Sequence, residues 1–142
     1  MAKLTDDIRA QLVAAAIAAR EKAYAPYSKF SVGAAVLGTD GKIYTGCNIE
    51  NVSYGMTMCA ERTALFKMVS EGCTEFEAIA IVAGDNVTDG APCGACRQVM
   101  GEFAESLSGT EVILASLNGD YIVETVASMM PYPFVKFRPQ ED

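Results

Sequence analysis

The chain has 142 residues, a net charge of -7 and no histidine. That length suits one domain, residues 1–142, with a real core, and its hydrophobic half and charged fifth exclude a disordered chain. The acid excess excludes broad attraction to a nucleic-acid backbone, and the missing imidazole excludes any mechanism that needs a histidine base.

Met1-Ala2-Lys3-Leu4 runs directly into polar Thr5-Asp6-Asp7, which is not a secretory leader pattern. The longest apolar stretch, Ala10 to Ala19, is interrupted by Gln11 and too short to span a bilayer. Of the five cysteines, two form a C-x-x-C pair. Together these features point to a cytoplasmic protein with reduced thiols available to a metal, and to no membrane partner.

Thr5 is a helix N-cap with Asp6 and Asp7 in the first turn, and Ile8, Leu12, Val13 and Ile17 recur at helical spacing, so a helix is expected to about Ala23. Ala25-Pro26-Tyr27 breaks it. Phe30 to Leu37 reads as a strand, and Asp40-Gly41 turns the chain into a second strand, Lys42 to Asn48. A loop from Ile49 to Thr57 precedes a helix from Cys59 to Ser70, with Ala60, Ala64, Leu65 and Met68 on its apolar side. The unbroken apolar run Phe76 to Ala83 suits a strand buried on both faces. A loop to Pro92 and a helix from Cys93 to Glu105 follow. Strands Glu111 to Ser116 and Tyr121 to Thr125 flank the turn Asn118-Gly119, and a short helix is expected before Pro131 and Pro133. This order predicts an α/β protein: a mixed five-stranded sheet with helices on both faces.

The chemistry lies in Cys59-Ala60-Glu61 and, farther along, Pro92-Cys93-Gly94-Ala95-Cys96. Zinc takes thiolates in tetrahedral array, and a catalytic ion keeps its fourth position for water. Cys93 and Cys96 fall on one face of a helix start, and Cys59 opens a helix of its own. Two positive helix ends then converge on the sulfurs, each worth about 0.3–1 kcal/mol against the charge of three thiolates. Arg62 lies within reach of the same sulfurs as a tuning hydrogen-bond donor. The competing reading is a structural zinc closed by Cys47 or Cys73, but neither has a C-x-x-C partner. Both suit buried apolar positions better.

Glu61, two residues after the first sulfur, reads as a proton shuttle, against the ordinary alternative of a solvated helix acid. Zinc brings the pKa of water to about 7, and a carboxylate is the natural group to move the protons when no histidine exists. A resemblance of this pattern to the zinc deaminases of nucleobases implies the reaction: a cytosine base becomes uracil as water adds at C4, Glu61 passes protons to ring N3 and to the departing amino group, and ammonia leaves.

The pattern C-x-E with P-C-x-x-C resembles the signature of the zinc deaminases of nucleobases. Tyr24-Ala25-Pro26-Tyr27-Ser28-Lys29-Phe30, Gly33-Ala34-Ala35, Gly46-Cys47-Asn48-Ile49-Glu50-Asn51, Cys59 to Ala64 and Pro92 to Gln98 narrow the resemblance to the small cytidine deaminases, from about Ala23 to Phe134. The resemblance implies a three-layer α/β/α cytidine deaminase-like fold, one zinc ion per subunit, and a homotetramer with shared active sites acting on cytidine and deoxycytidine. It implies that Asn48 and Glu50 hold the ribose hydroxyls, that Phe30 packs on the pyrimidine, and that the Ala60 N–H meets the base carbonyl. It implies that Tyr54 and Phe134 reach a neighbour's site. On residue type alone Phe30 reads equally as core, and Asn48 and Glu50 as turn chemistry. Ala91 stands where the family often has serine. Other readings are a deaminase of a modified cytosine nucleoside such as blasticidin S, a polynucleotide editor, and a zinc-stapled binding module without catalysis. The acidic chain opposes the editor. An open metal position beside Glu61 opposes the module.

Overall fold

The computed structural model describes residues 4–135. Helix α1 spans Asp6–Arg20, capped by Thr5, whose hydroxyl accepts the Ile8 N–H at 3.2 Å. It ends three residues before the expected Ala23. The Lys22 and Ala23 N–H groups turn back only to Ala19 and Arg20, and the Tyr24 N–H leaves for the Asn48 carbonyl.

Strand β1 is Gly33–Gly38, not Phe30 onward. The side chain of Asn48 explains the late start: its Nδ2 donates to the Phe30 carbonyl at 2.7 Å and its Oδ1 accepts the Val32 N–H at 2.9 Å. An amide side chain thus takes the place of a strand neighbour, a backbone alternative that sequence periodicity does not show. The turn through Gly41, at φ 82, leads into β2, Ile43–Cys47. A single 3-10 turn, Tyr54–Met56, lies inside the expected loop.

Helix α2 is Ala60–Ser70 with Cys59 as its N-cap. Strand β3 is Phe76–Val82, and α3 is Gly94–Phe103 with Cys93 as its N-cap. Helix α3 stops two residues short of Glu105, whose N–H pairs instead with the Phe76 carbonyl. Strands β4, Glu111–Ala115, and β5, Tyr121–Thr125, follow. The short helix α4, Val126–Met129, is held by a capping box between Thr125 and Ser128.

The five strands lie in the order β2-β1-β3-β4-β5, with β3 and β4 parallel and the other neighbours antiparallel. Alternation along the strands divides the core. Ala35, Leu37, Ala78, Ala80, Val82 and Ile113 pack on Leu12, Val13 and Ala16 of α1. Ala34, Val36, Ile79, Ile81, Val112 and Leu114 face the side of α2, α3 and α4. These are the expected three layers. Leu65 and Met68 of α2 are fully buried there, and a side chain of that kind contributes about 1.5–3 kcal/mol.

Two glycines bring helices onto the sheet. A Cβ at Gly33 would lie 2.0 Å from the Ala16 carbonyl oxygen of α1. One at Gly46 would lie 2.5 Å from the Ala64 nitrogen and 2.7 Å from the Ala60 oxygen of α2. Helix α1 is further tied to β4 by Arg9, whose Nε and Nη2 each donate to Glu111 at 2.8 Å. Arg20 Nε donates to the carbonyls of Ala83 at 2.7 Å and Ser31 at 3.2 Å, which joins the end of β3 to the segment before β1. Among the described residues no helix is long and apolar enough to cross a membrane.

Candidate active site

Cys59 and Cys93 cap α2 and α3, and Cys96 sits in the first turn of α3. The ligand atoms of Cys59, Cys93 and Cys96 all lie within 4.8 Å of one another. Tetrahedral zinc with Zn–S bonds of about 2.3 Å needs sulfurs roughly 3.8 Å apart, so this cluster fits the ion with little movement. Cys96 is buried, Cys59 half-buried and Cys93 exposed. The donor set is soft and has three members, which suits a catalytic zinc with one position left open.

Cys47 and Cys73 stand apart. The Cys47 thiol donates to the Lys22 carbonyl at 3.4 Å, and that of Cys73 to Glu75 at 3.3 Å. Cys73 is buried as expected; Cys47 is only half-buried, because the edge strand β2 leaves it at the margin of the sheet. Among the described residues neither joins the metal cluster, so the four-sulfur structural site is not formed.

Within the metal-free cluster the Cys59 thiol is lowered, first by a hydrogen bond from Cys96 and then by Arg62. Cys96, the donor in that pair and buried, is pushed up. Arg62 Nη2 donates to the Cys59 sulfur at 3.4 Å, which places a permanent positive charge on the cluster. Its Nε is buried without a hydrogen-bond partner among the described residues. Once all three sulfurs ligate a divalent ion as thiolates, this fixed cation would offset the excess negative charge.

Glu61 is 5% exposed, in the first turn of α2. Burial pushes its carboxyl up to about 7; its own backbone N–H opposes the shift and the Cys59 charge adds to it. A carboxyl poised near neutrality gives and takes protons at comparable cost. Glu61 is not a solvated helix acid.

A cavity of about 190 Å³ opens beside the cluster, and Phe30, Asn48, Cys59, Ala60, Glu61 and Cys93 all line it. Its volume is below the ~300–1,000 Å³ of sites for drug-sized ligands. Ala60 is the first residue of α2, where the backbone N–H has no intrahelical acceptor. A second cavity, lined by Tyr27, Ser28, Glu50, Tyr54 and Thr57, shares Thr57 with the first. Tyr54 lies edge-on to Tyr27, with ring centroids 6.0 Å apart. Phe134 lines neither cavity; it is 70% exposed, and its carbonyl accepts from Gln98 Nε2 at 2.6 Å.

Sequence reasoning missed Val32, Thr57, Asp89 and Gly90, which complete the first cavity with Ala91. Residue type carries no signal for them, since loop closure alone brings them together. The sequence left the role of Arg97 open, with a helix-surface or interface place as the default; its Nε donates to the Pro92 carbonyl at 2.8 Å and its Nη1 to the Met129 carbonyl at 3.1 Å. Arg97 therefore fixes the peptide that precedes Cys93.

A family model described as the cytidine and deoxycytidylate deaminase zinc-binding region matches residues 7–107. A cytidine deaminase of Sporosarcina psychrophila is 54% identical over 89% of this chain and 90% of its own. One from Halalkalibacterium halodurans is 53% identical over 89% and 93%. The crystal structure of a Burkholderia pseudomallei cytidine deaminase superposes with a TM-score of 0.80 at 48% identity, covering 92% of this chain and 100% of that one. A blasticidin-S deaminase of Bacillus cereus is more distant, 28% identical over 77% of this chain. The matched zinc-binding region includes all three clustered cysteines and the buried carboxylate beside them, and the chain belongs to the cytidine and deoxycytidylate deaminase family.

Proposed function

We propose that the protein hydrolyses cytidine and deoxycytidine to uridine and deoxyuridine with release of ammonia, a pyrimidine salvage reaction. The observation that carries this reading is the buried carboxyl of Glu61 in the wall of a cavity that adjoins three clustered cysteines.

Cys59, Cys93 and Cys96 would hold the zinc, which when bound supplies the Lewis acidity that makes water nucleophilic near neutral pH. Glu61 takes a proton from the attacking water and delivers it to ring N3. As the C4–N bond breaks, Glu61 transfers the water's second proton to the departing amino group. A C4–O bond has formed, one water is consumed, one ammonia leaves, and Glu61 returns to its starting state. Phe30 packs against the pyrimidine, and the Ala60 N–H donates to the base carbonyl. Arg62 compensates the thiolate charge.

Asn48 and Glu50 take the sugar. The Asn48 amide uses one donor and one acceptor on the chain's own backbone and keeps one of each for a hydroxyl. The active unit is a homotetramer of one-domain subunits, residues 1–142, in the reducing cytoplasm. Tyr54 and Phe134, each at least 70% exposed, extend into a neighbour's site. The net charge of -7 favours a free nucleoside over a polynucleotide.

The test is ammonia release by zinc-replete protein across cytidine, deoxycytidine, cytosine, adenosine and blasticidin S. Turnover of both cytosine nucleosides with little on free cytosine is the expected result. Turnover of blasticidin S alone would overturn the substrate assignment, and silence on all five with zinc bound would make the protein a binding module.

A further inference from the structure

Glu50 does not stand free in its cavity. Its Oε1 accepts the backbone N–H groups of Tyr27 at 3.0 Å and Ser28 at 3.1 Å. Its Oε2 accepts the hydroxyl of Ser28, and that same hydroxyl oxygen accepts the Phe30 N–H at 3.0 Å. Between them Lys29 adopts a left-handed backbone, φ 61, which turns the chain so that both contacts close on one side chain. One hydroxyl therefore links the carboxylate of the second cavity to the backbone of Phe30, whose ring lines the first.

We infer that Ser28 is a positioning residue for the sugar, fixing the plane of the Glu50 carboxylate so that one lone pair of Oε2 faces the bound hydroxyl. The inference rests on the nucleoside reading above. A carboxylate has about four acceptor sites. Two backbone N–H groups hold Oε1, and they leave the plane free to tilt about that oxygen. The Ser28 hydroxyl is the third point that removes this freedom. Its hydrogen bond is also the largest of several causes that keep the carboxyl below its usual range. Sequence alone gave Ser28 no role beyond its place in an aromatic-rich segment.

The experiment is a cycle of variants against substrates. Ser28→Ala and Glu50→Ala, singly and together, are assayed on cytidine and on 2′,3′-dideoxycytidine, which lacks both ring hydroxyls. Ser28→Ala is expected to raise KM for cytidine about tenfold, as for a lost hydrogen bond to a charged group, with kcat within about twofold. Its kcat/KM for the dideoxynucleoside stays within about twofold of wild type, and in the Glu50→Ala background it adds no further loss. Equal losses on both substrates, or full additivity with Glu50→Ala, would show general damage to the loop and overturn the inference. So would an unchanged KM for cytidine. Wild-type protein idle on cytidine would instead remove the nucleoside reading itself, a distinct failure.

Discussion

Gly46 is the point on the sheet where α2 rests, so adding one methyl group there tests how the site is held. In Gly46→Ala the new Cβ would lie 2.5 Å from the Ala64 nitrogen, 2.7 Å from the Ala60 oxygen and 2.9 Å from the Thr63 Cβ. The first two are backbone atoms of α2 and cannot swing aside. Ordinary contact begins at about 3.5 Å, so the start of α2 must rise by roughly 1 Å. Overpacking of this kind costs about 1–3 kcal/mol. Cys59 and Glu61 ride on that turn, whereas Cys93 and Cys96 ride on α3 and stay behind. A misplacement of that size lowers turnover on the order of 100-fold. Urea melts measure the stability loss, competition with a chelator the zinc affinity, and ammonia release the rate. A variant with wild-type stability, zinc affinity and turnover would refute the claim that close contact at Gly46 seats the site.

Three further predictions concern charge. In chelator-treated protein, Glu61 is raised from 4.5 to about 7, so its stabilising contribution is complete below pH 4.5 and is lost as pH rises through 7. Glu61→Gln carries no such loss and should be more stable than wild type at pH 8, by up to about 3 kcal/mol, with the two converging below pH 4.5; urea melts across pH check it. Glu50 is lowered, so its contribution is present above pH 4.5 and lost as pH falls through its folded value; acid unfolding of Glu50→Gln should show a flatter pH dependence in that window. Breaking the two-pronged Arg9–Glu111 contact should cost about 1–3 kcal/mol in Arg9→Ala, with a clear coupling to Glu111→Ala in a double-mutant cycle.

Much of this was readable from the chain because local chemistry and periodicity agreed. The Thr5 cap, the apolar face Ala60, Ala64, Leu65 and Met68, and the unbroken run in β3 each specified one element. The cysteine spacing carried the metal cluster for the same reason: both caps are helix starts, and a helix start fixes where its first side chains point. The segment around residues 24–32 was not readable. There side chains substitute for backbone partners, as Asn48 does for a strand and Ser28 with Glu50 for a turn, so the chain leaves the expected pattern. Phe30 illustrates the limit: its type allowed core or substrate contact, and only tertiary closure puts it 49% exposed in a cavity wall.

In the proposed mechanism Glu61 moves the protons beside a zinc held by Cys59, Cys93 and Cys96. Its most direct test is turnover of cytidine by wild type and Glu61→Gln, with the zinc content of each preparation measured alongside. The expected result is one zinc per subunit in both and a turnover at least about 100-fold lower in the variant. Near-normal turnover by a zinc-loaded Glu61→Gln would contradict it.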